Sequence, residues 1–334
     1  RSPMTCDLES GVCQKCMGVN NRGKSYAIGQ NVGIRSAQSL SEPLTQMALS
    51  AKHGVSLVEG DVNTPRGLAA FKQFIEVPKN FFQRAPISEL TGKVNSITKA
   101  PQGGFDLDIE GTQHYVPPDR KLHVKKGQRL EAGDTLASGI VAPDDVIRHK
   151  GLGAGREYLM KSLRNVYLES GKDMDPRHLE LLAKSQLNYV KVDSGLPGFI
   201  PGDVVSIPQI RKAFEGKGSE VSTKESLGKV LTTAQGNHLP GTKVTKRVIE
   251  DLGKQGITRV KAIASPMRLT PVMTSATRTP LLNPNWMQRL GYRYQKATII
   301  NAATFGEKAD LHSHNPLPAL AVGHEMHRDS KGRY

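Results

Sequence analysis

Aromatic residues are scarce: eight Phe, eight Tyr and one Trp in 334 residues. A surface that binds by stacking on bases needs them, so base stacking does not dominate whatever this chain binds. No run of about 18 apolar residues occurs, which excludes a membrane-spanning helix. A secretory signal is missing as well, because the N-terminus is polar and already carries cysteines. Acidic residues are outnumbered, 31 against 46 Lys and Arg, for a formal net charge of +15. That excess is spread along the chain and points to a polyanionic partner, most simply nucleic acid. A basic surface that only aids solubility, or that meets an acidic subunit, is the rival reading. Methionine is absent from position 1, where the chain has Arg, and the chain reads as part of something longer. Its length suffices for two or more domains.

Cysteine is the scarcest reactive residue, and its placement is informative. Cys6, Cys13 and Cys16 are the only three in the chain. The C-x2-C pair has the turn geometry of a zinc knuckle, and three thiolates can converge on one ion. Three is one short of a closed structural site. A redox pair lacks the βαβ setting such motifs use. A disulfide with one thiol left over is the third possibility.

The stretch from Gly33 to Gly54, GIRSAQSLSEPLTQMALSAKHG, carries the most organised signal. Ser41 is a candidate helix cap, Pro43 fits a first turn, and Gly54 is a candidate stop. Gln46, Leu49, Ser50 and His53 recur at helical spacing, which aligns an amide, an aliphatic side chain and an imidazole. An amphipathic core helix with a satisfied histidine has the same spacing.

The wording of this stretch resembles the trigger loop of the largest catalytic subunit of multisubunit RNA polymerases, β′ in bacteria. Gly33, Ala37, Gln38, Ser39, Glu42, Pro43, Thr45, Gln46 and His53 match the family pattern. The resemblance implies a mobile helical hairpin that folds against the incoming nucleotide. It assigns the catalytic positions to His53 at the triphosphate, Gln46 at the sugar and Leu49 on the base. Leu49 stands where methionine is usual, and Ser50 where arginine is common. The C-x6-C-x2-C spacing of Cys6, Cys13 and Cys16 also matches a β′ zinc site just before the trigger loop. The resemblance therefore implies structural zinc, with a fourth ligand outside this chain.

Further along, the resemblance implies an α+β, multi-module chain. Its segments are a zinc-binding segment at 1–20, a trigger-loop hairpin at 21–90 and a barrel-sandwich hybrid-like β module at 91–138. A helical β′-like segment follows at 139–204, then a divergent or inserted segment at 205–265 and a C-terminal switch/clamp segment at 266–334. The hairpin's return helix has Leu68, Phe71, Phe74 and Ile75 on one side. Lys125 and Lys126 precede the turn of VKKGQRLEAGDTLASG, which argues against a lipoyl carrier. His178 reads as a surface or capping histidine. Arg289, Arg293 and Lys296 recur at 4 and 3 and are expected to share a phosphate-facing side. His312, His314, His324 and His327 lack spaced carboxylates to orient them as metal ligands.

No triple-aspartate motif of the family occurs, so magnesium is expected on another polymerase chain, and this one is not catalytic alone. Expected partners are the N-terminal β′ part, β-like subunits, template DNA, RNA and nucleoside triphosphates. The expected enzyme is a DNA-dependent RNA polymerase, a nucleotidyltransferase, in the cytoplasm of a bacterium or of a host cell infected by a large bacteriophage. The rival is a non-catalytic nucleic-acid-binding or virion structural protein. A free-standing zinc enzyme ranks last.

Overall fold

A computed structural model of the chain describes residues 1–6, 8, 11–52, 67–78, 80–196, 198–236, 238, 240–264, 268–282, 286–290, 295–306 and 322–323. Helices and four small sheets form a mixed α+β arrangement. The N-terminal segment contributes a 3-10 turn Pro3–Thr5, strand β1 Val12–Cys13 and helix α1 Gln14–Met17. Its apolar residues Val12, Met17, Tyr26 and Val32 form a small core closed by Leu181 from further along the chain.

Helix α2 spans Val32–Lys52 and helix α3 spans Gly67–Glu76. The start of α2 corrects the expectation from sequence. Asn31, not Ser41, receives the first-turn N–H, from Ile34 at 2.9 Å. Ser41 lies inside the helix, where its hydroxyl donates to the Gln38 carbonyl at 3.1 Å. The cause is tertiary. Val32, Ser36 and Leu40, spaced by four, are all buried, so packing holds ten more residues helical than the caps predict. Pro43 is therefore an internal proline and leaves the Ser39 carbonyl without its helical donor.

Strands β2 Gly92–Lys99, β3 Phe105–Ile109, β4 Thr112–Val116 and β5 Arg129–Leu130 form an antiparallel sheet in the order β4-β3-β2-β5. Alternation turns Val94, Leu107, Ile109 and Val116 into its core. Arg84, in the segment between α3 and β2, grips the buried Asp145 with two guanidinium hydrogen bonds, which ties that segment to the helix that follows the sheet.

Helices α4 Pro143–Glu169 and α5 Pro176–Gln186 carry the main core. Gly151 interrupts α4 with φ 85°, a conformation that favours glycine. Leu159, Leu163, Tyr167 and Leu179 are fully buried there, against Phe71 and Phe74 of α3. The return helix thus buries the side expected of it, each large side chain contributing roughly 1.5–3 kcal/mol.

The remaining elements are β6 Tyr189–Ser194, β7 Val204–Ser206, α6 Ile207–Phe214, β8 Ser219–Ser222, β9 Val230–Leu231, α7 Lys246–Lys254, β10 Arg259–Ile263 and β11 Arg268–Val272. They build two sheets, β11-β6-β7 and β8-β10-β9. Val244, Val248, Leu252 and Val260 give the second sheet and α7 their own core, although residues 205–265 read as loosely patterned. A 3-10 turn Thr279–Leu282, α8 Trp286–Arg289, α9 Gln295–Phe305 and β12 Val322–Gly323 follow. Strand β12 pairs in parallel with β1. No helix among the described residues is long and apolar enough to cross a membrane.

Candidate functional site

The three cysteines converge. Their sulfur atoms all lie within 4.8 Å of one another. Cys6 follows the 3-10 turn, Cys13 caps α1, and Cys16 lies one turn later. Backbone N–H groups point at the sulfurs: Cys13 donates to Cys6 Sγ at 3.3 Å, and Cys16 donates to Cys13 Sγ at 3.4 Å. Burial pushes the Cys13 thiol up, but hydrogen bonds from Cys16 and Cys6 outweigh it and leave Cys13 below the ordinary thiol range. Burial and the two neighbouring thiols push Cys16 up to about 12. Convergent sulfurs that receive N–H donors suit a soft cation, which would hold all three as thiolates. This donor set fits three positions of a tetrahedral zinc site. No histidine or carboxylate among the described residues joins the three.

Gly18, just past this knuckle, has φ 76°, and a Cβ there would meet the Arg177 guanidinium at 2.6 Å. Arg177 also donates to the Val19 carbonyl at 3.2 Å, so the knuckle is seated on α5.

Helix α2 has two unlike halves. Its first half is fixed from two sides. The Tyr167 hydroxyl of α4 donates to the Leu40 carbonyl at 2.8 Å, and Ser36 Oγ lies 2.8 Å from His178 Nδ1 of α5. His178 is buried, which corrects its reading as a surface or capping residue. Neither bond is visible in sequence, since each links residues more than 100 positions apart. Past Pro43 one side of the helix still packs on the core through Leu44 and Met47, and the other faces out. Thr45, Gln46 and Leu49 are exposed, Leu49 at 53%. Gln46 and Leu49 are thus both exposed on one helix. His53 lies outside the described residues.

The basic set is divided. Arg289 ends α8, Lys296 belongs to α9, and Arg293 lies outside the described residues. Arg289 and Lys296 therefore lie on different helices. His312, His314, His324 and His327 also lie outside the described residues.

Arg156 of α4 was missed by sequence reasoning. Its guanidinium donates to the Leu187 carbonyl twice, at 2.9 and 2.8 Å, and to the Met4 carbonyl at 3.0 Å. Burial pushes it down to about 10. It satisfies the carbonyl end of α5, where the helix dipole favours a cation, and fastens the cysteine-bearing segment to it. Only the odd cation in an apolar helix stripe hinted at it.

Comparison with known proteins shows what the chain is similar to. No family model matches the chain. The chain is 32% identical over 246 residues to the DNA-directed RNA polymerase subunit beta' of Desulforudis audaxviator (strain MP104C), which covers 70% of this chain and 21% of that protein. Against the subunit beta' of Clostridium botulinum (strain Alaska E43 / Type E3), identity is 34% over 238 residues, 68% of this chain and 20% of the relative. The beta' of Thermosipho melanesiensis (strain DSM 12029 / CIP 104789 / BI429) is 28% identical over 288 residues, 78% of this chain and 17% of its own. The chain spans about a fifth of the length of these relatives. Over some two thirds of its residues, this chain is a homologue of part of the β′ subunit of DNA-directed RNA polymerase.

Proposed function

We propose that the chain is a C-terminal β′-like subunit or fragment of a DNA-dependent RNA polymerase, and that α2, α3 and the residues between them are its trigger hairpin. The observation that carries this reading is the two-part helix α2, with a base clamped in the core and an arm that exposes Gln46 and Leu49, in a chain homologous to β′. On this reading, the arm lies along an incoming nucleoside triphosphate. Leu49 packs on the base, the Gln46 amide hydrogen-bonds the sugar, and His53 contacts the triphosphate as a positioning or proton-donating group. Catalysis by this chain is orientation and charge placement. Magnesium on another polymerase chain would supply the charge clamp on the reacting phosphates.

The same reading gives Cys6, Cys13 and Cys16 a structural zinc ion, with a fourth ligand from outside this chain. It makes residues 91–138 a barrel-sandwich hybrid-like module and sets Arg289, Arg293 and Lys296 near template phosphates. Purification of the native assembly through a tag on this chain tests the proposal. Recovery of a second polypeptide that carries an aspartate-triad motif supports it. Recovery of the chain alone, with DNA binding but no such partner, replaces it with a nucleic-acid-binding protein of shared ancestry.

A further inference from the structure

A cleft of about 330 Å³ lies where α3 ends, α4 begins and the β11-β6-β7 sheet meets the loop after β11. Three cations on three different elements line it: Arg148 of α4, Lys191 of β6 and Arg278 of the loop. All three are exposed and make no direct salt bridge among the described residues, although Arg148 lies near enough to Asp144 to favour its charged form. They come together from positions far apart in sequence, so no charge run announces them.

The walls are firmly held. Strand β11 pairs with β6 over five residues. Beyond it, the Thr274 N–H and hydroxyl both donate to the Gln186 carbonyl at 3.0 Å, and the Ala276 N–H donates to the Ile75 carbonyl at 2.9 Å. The Arg278 N–H donates to Ser275 Oγ at 3.2 Å. The backbone that carries these cations is held in advance, so only their side chains lose freedom on binding. Two acids also line the cleft. Asp144 is engaged by the Met273 N–H at 3.2 Å, and Glu76 is exposed at the end of α3.

The lining identifies the ligand class. Three cations with the Ser275 hydroxyl are phosphate-binding groups, whereas the Thr270 hydroxyl donates to the Asp193 carboxylate. No aromatic side chain among the described residues lines the cleft, so none of them stacks a base as a free-nucleotide or base-reading site would. We propose that Arg148, Lys191 and Arg278 hold the sugar-phosphate backbone of a nucleic-acid strand, without reading its sequence. This contact is separate from the Arg289, Arg293 and Lys296 set, and it rests on the reading above that the chain works on nucleic acid.

The test uses the full chain in the assembly with which it purifies, and a fluorescein-labelled duplex of arbitrary sequence titrated across a salt series. Replacement of all three residues (Arg148→Gln, Lys191→Gln, Arg278→Gln) should flatten the slope of log K against log salt by about 2 to 3, at ~0.9 for each phosphate no longer neutralised. Arg278→Gln alone should remove about 1. A charge-matched control on the neighbouring unit, Lys217→Gln, Lys224→Gln and Lys254→Gln, should leave the slope near that of the parent. A parent slope retained in the triple variant overturns the inference and leaves the polymerase reading intact. Equal flattening in the control also overturns it, since removal of any positive charge would then serve. Absence of DNA binding by the parent assembly overturns both the inference and the proposed function.

Discussion

At the scale of single residues, two polar groups, the half-buried Arg156 and the buried His178, decide how the N-terminal half stands on the core. Arg156 neutralises carbonyls, not a carboxylate. Removing it strands two acceptors and the end of α5, so Arg156→Ala should cost about 2 to 3 kcal/mol. Urea unfolding of the purified chain measures this, and a cost within error of zero would rule out the anchoring role. His178 gives a pH signature. Burial, partly offset by Asp175, holds its folded value below the usual 6.5. The unfolded chain then takes up a proton more readily than the folded one, so stability should be full above about pH 6.5 and decline as pH falls below it. His149 and His238, also lowered first by burial, add to the same limb. His178→Gln should shallow the decline in unfolding midpoint between about pH 7.5 and 5. A limb of unchanged steepness would assign the effect to the other two histidines.

At the scale of elements, α2 shows what sequence can and cannot disclose. Spacing was enough to align Gln46 with Leu49 and to find the buried side of α3, because helical periodicity is local. The true start of α2 was hidden, because it depends on contacts of Ser36 and Leu40 with residues more than 100 positions away. The alternating strands of residues 92–116 were legible from period two, whereas the core around Val244, Leu252 and Val260 was masked by the charges between its members. The clamp makes a prediction of its own. Tyr167→Phe deletes one hydroxyl and one hydrogen bond, worth about 1 kcal/mol. Amide exchange in the first half of α2 should quicken by roughly fivefold, the factor that this energy sets, while α5 exchanges as before. Equal quickening throughout the core would mean that the hydroxyl only supports global stability.

At the scale of the whole molecule, the cysteine cluster, the two-part helix and the basic cleft are separate stations on one frame of α4 and α5. The cysteine cluster was legible from the C-x6-C-x2-C spacing read together with the β′ resemblance; the cleft was not, since its cations come from three elements. Metal content tests the first station. The purified assembly should carry zinc at this site, and Cys13→Ser should remove about one equivalent by elemental analysis and lower the thermal midpoint. Unchanged zinc content would reject the cysteines as ligands.

The central claim is that the exposed arm of α2 acts on the incoming nucleotide, and single-nucleotide addition by the assembled polymerase tests it most directly. With Leu49→Ala or His53→Ala, the addition rate at saturating nucleoside triphosphate should fall, for His53 by about 10- to 1000-fold as expected for a positioning or proton-donating group. Rates equal to the parent's in both variants would contradict the account and leave α2 a structural helix.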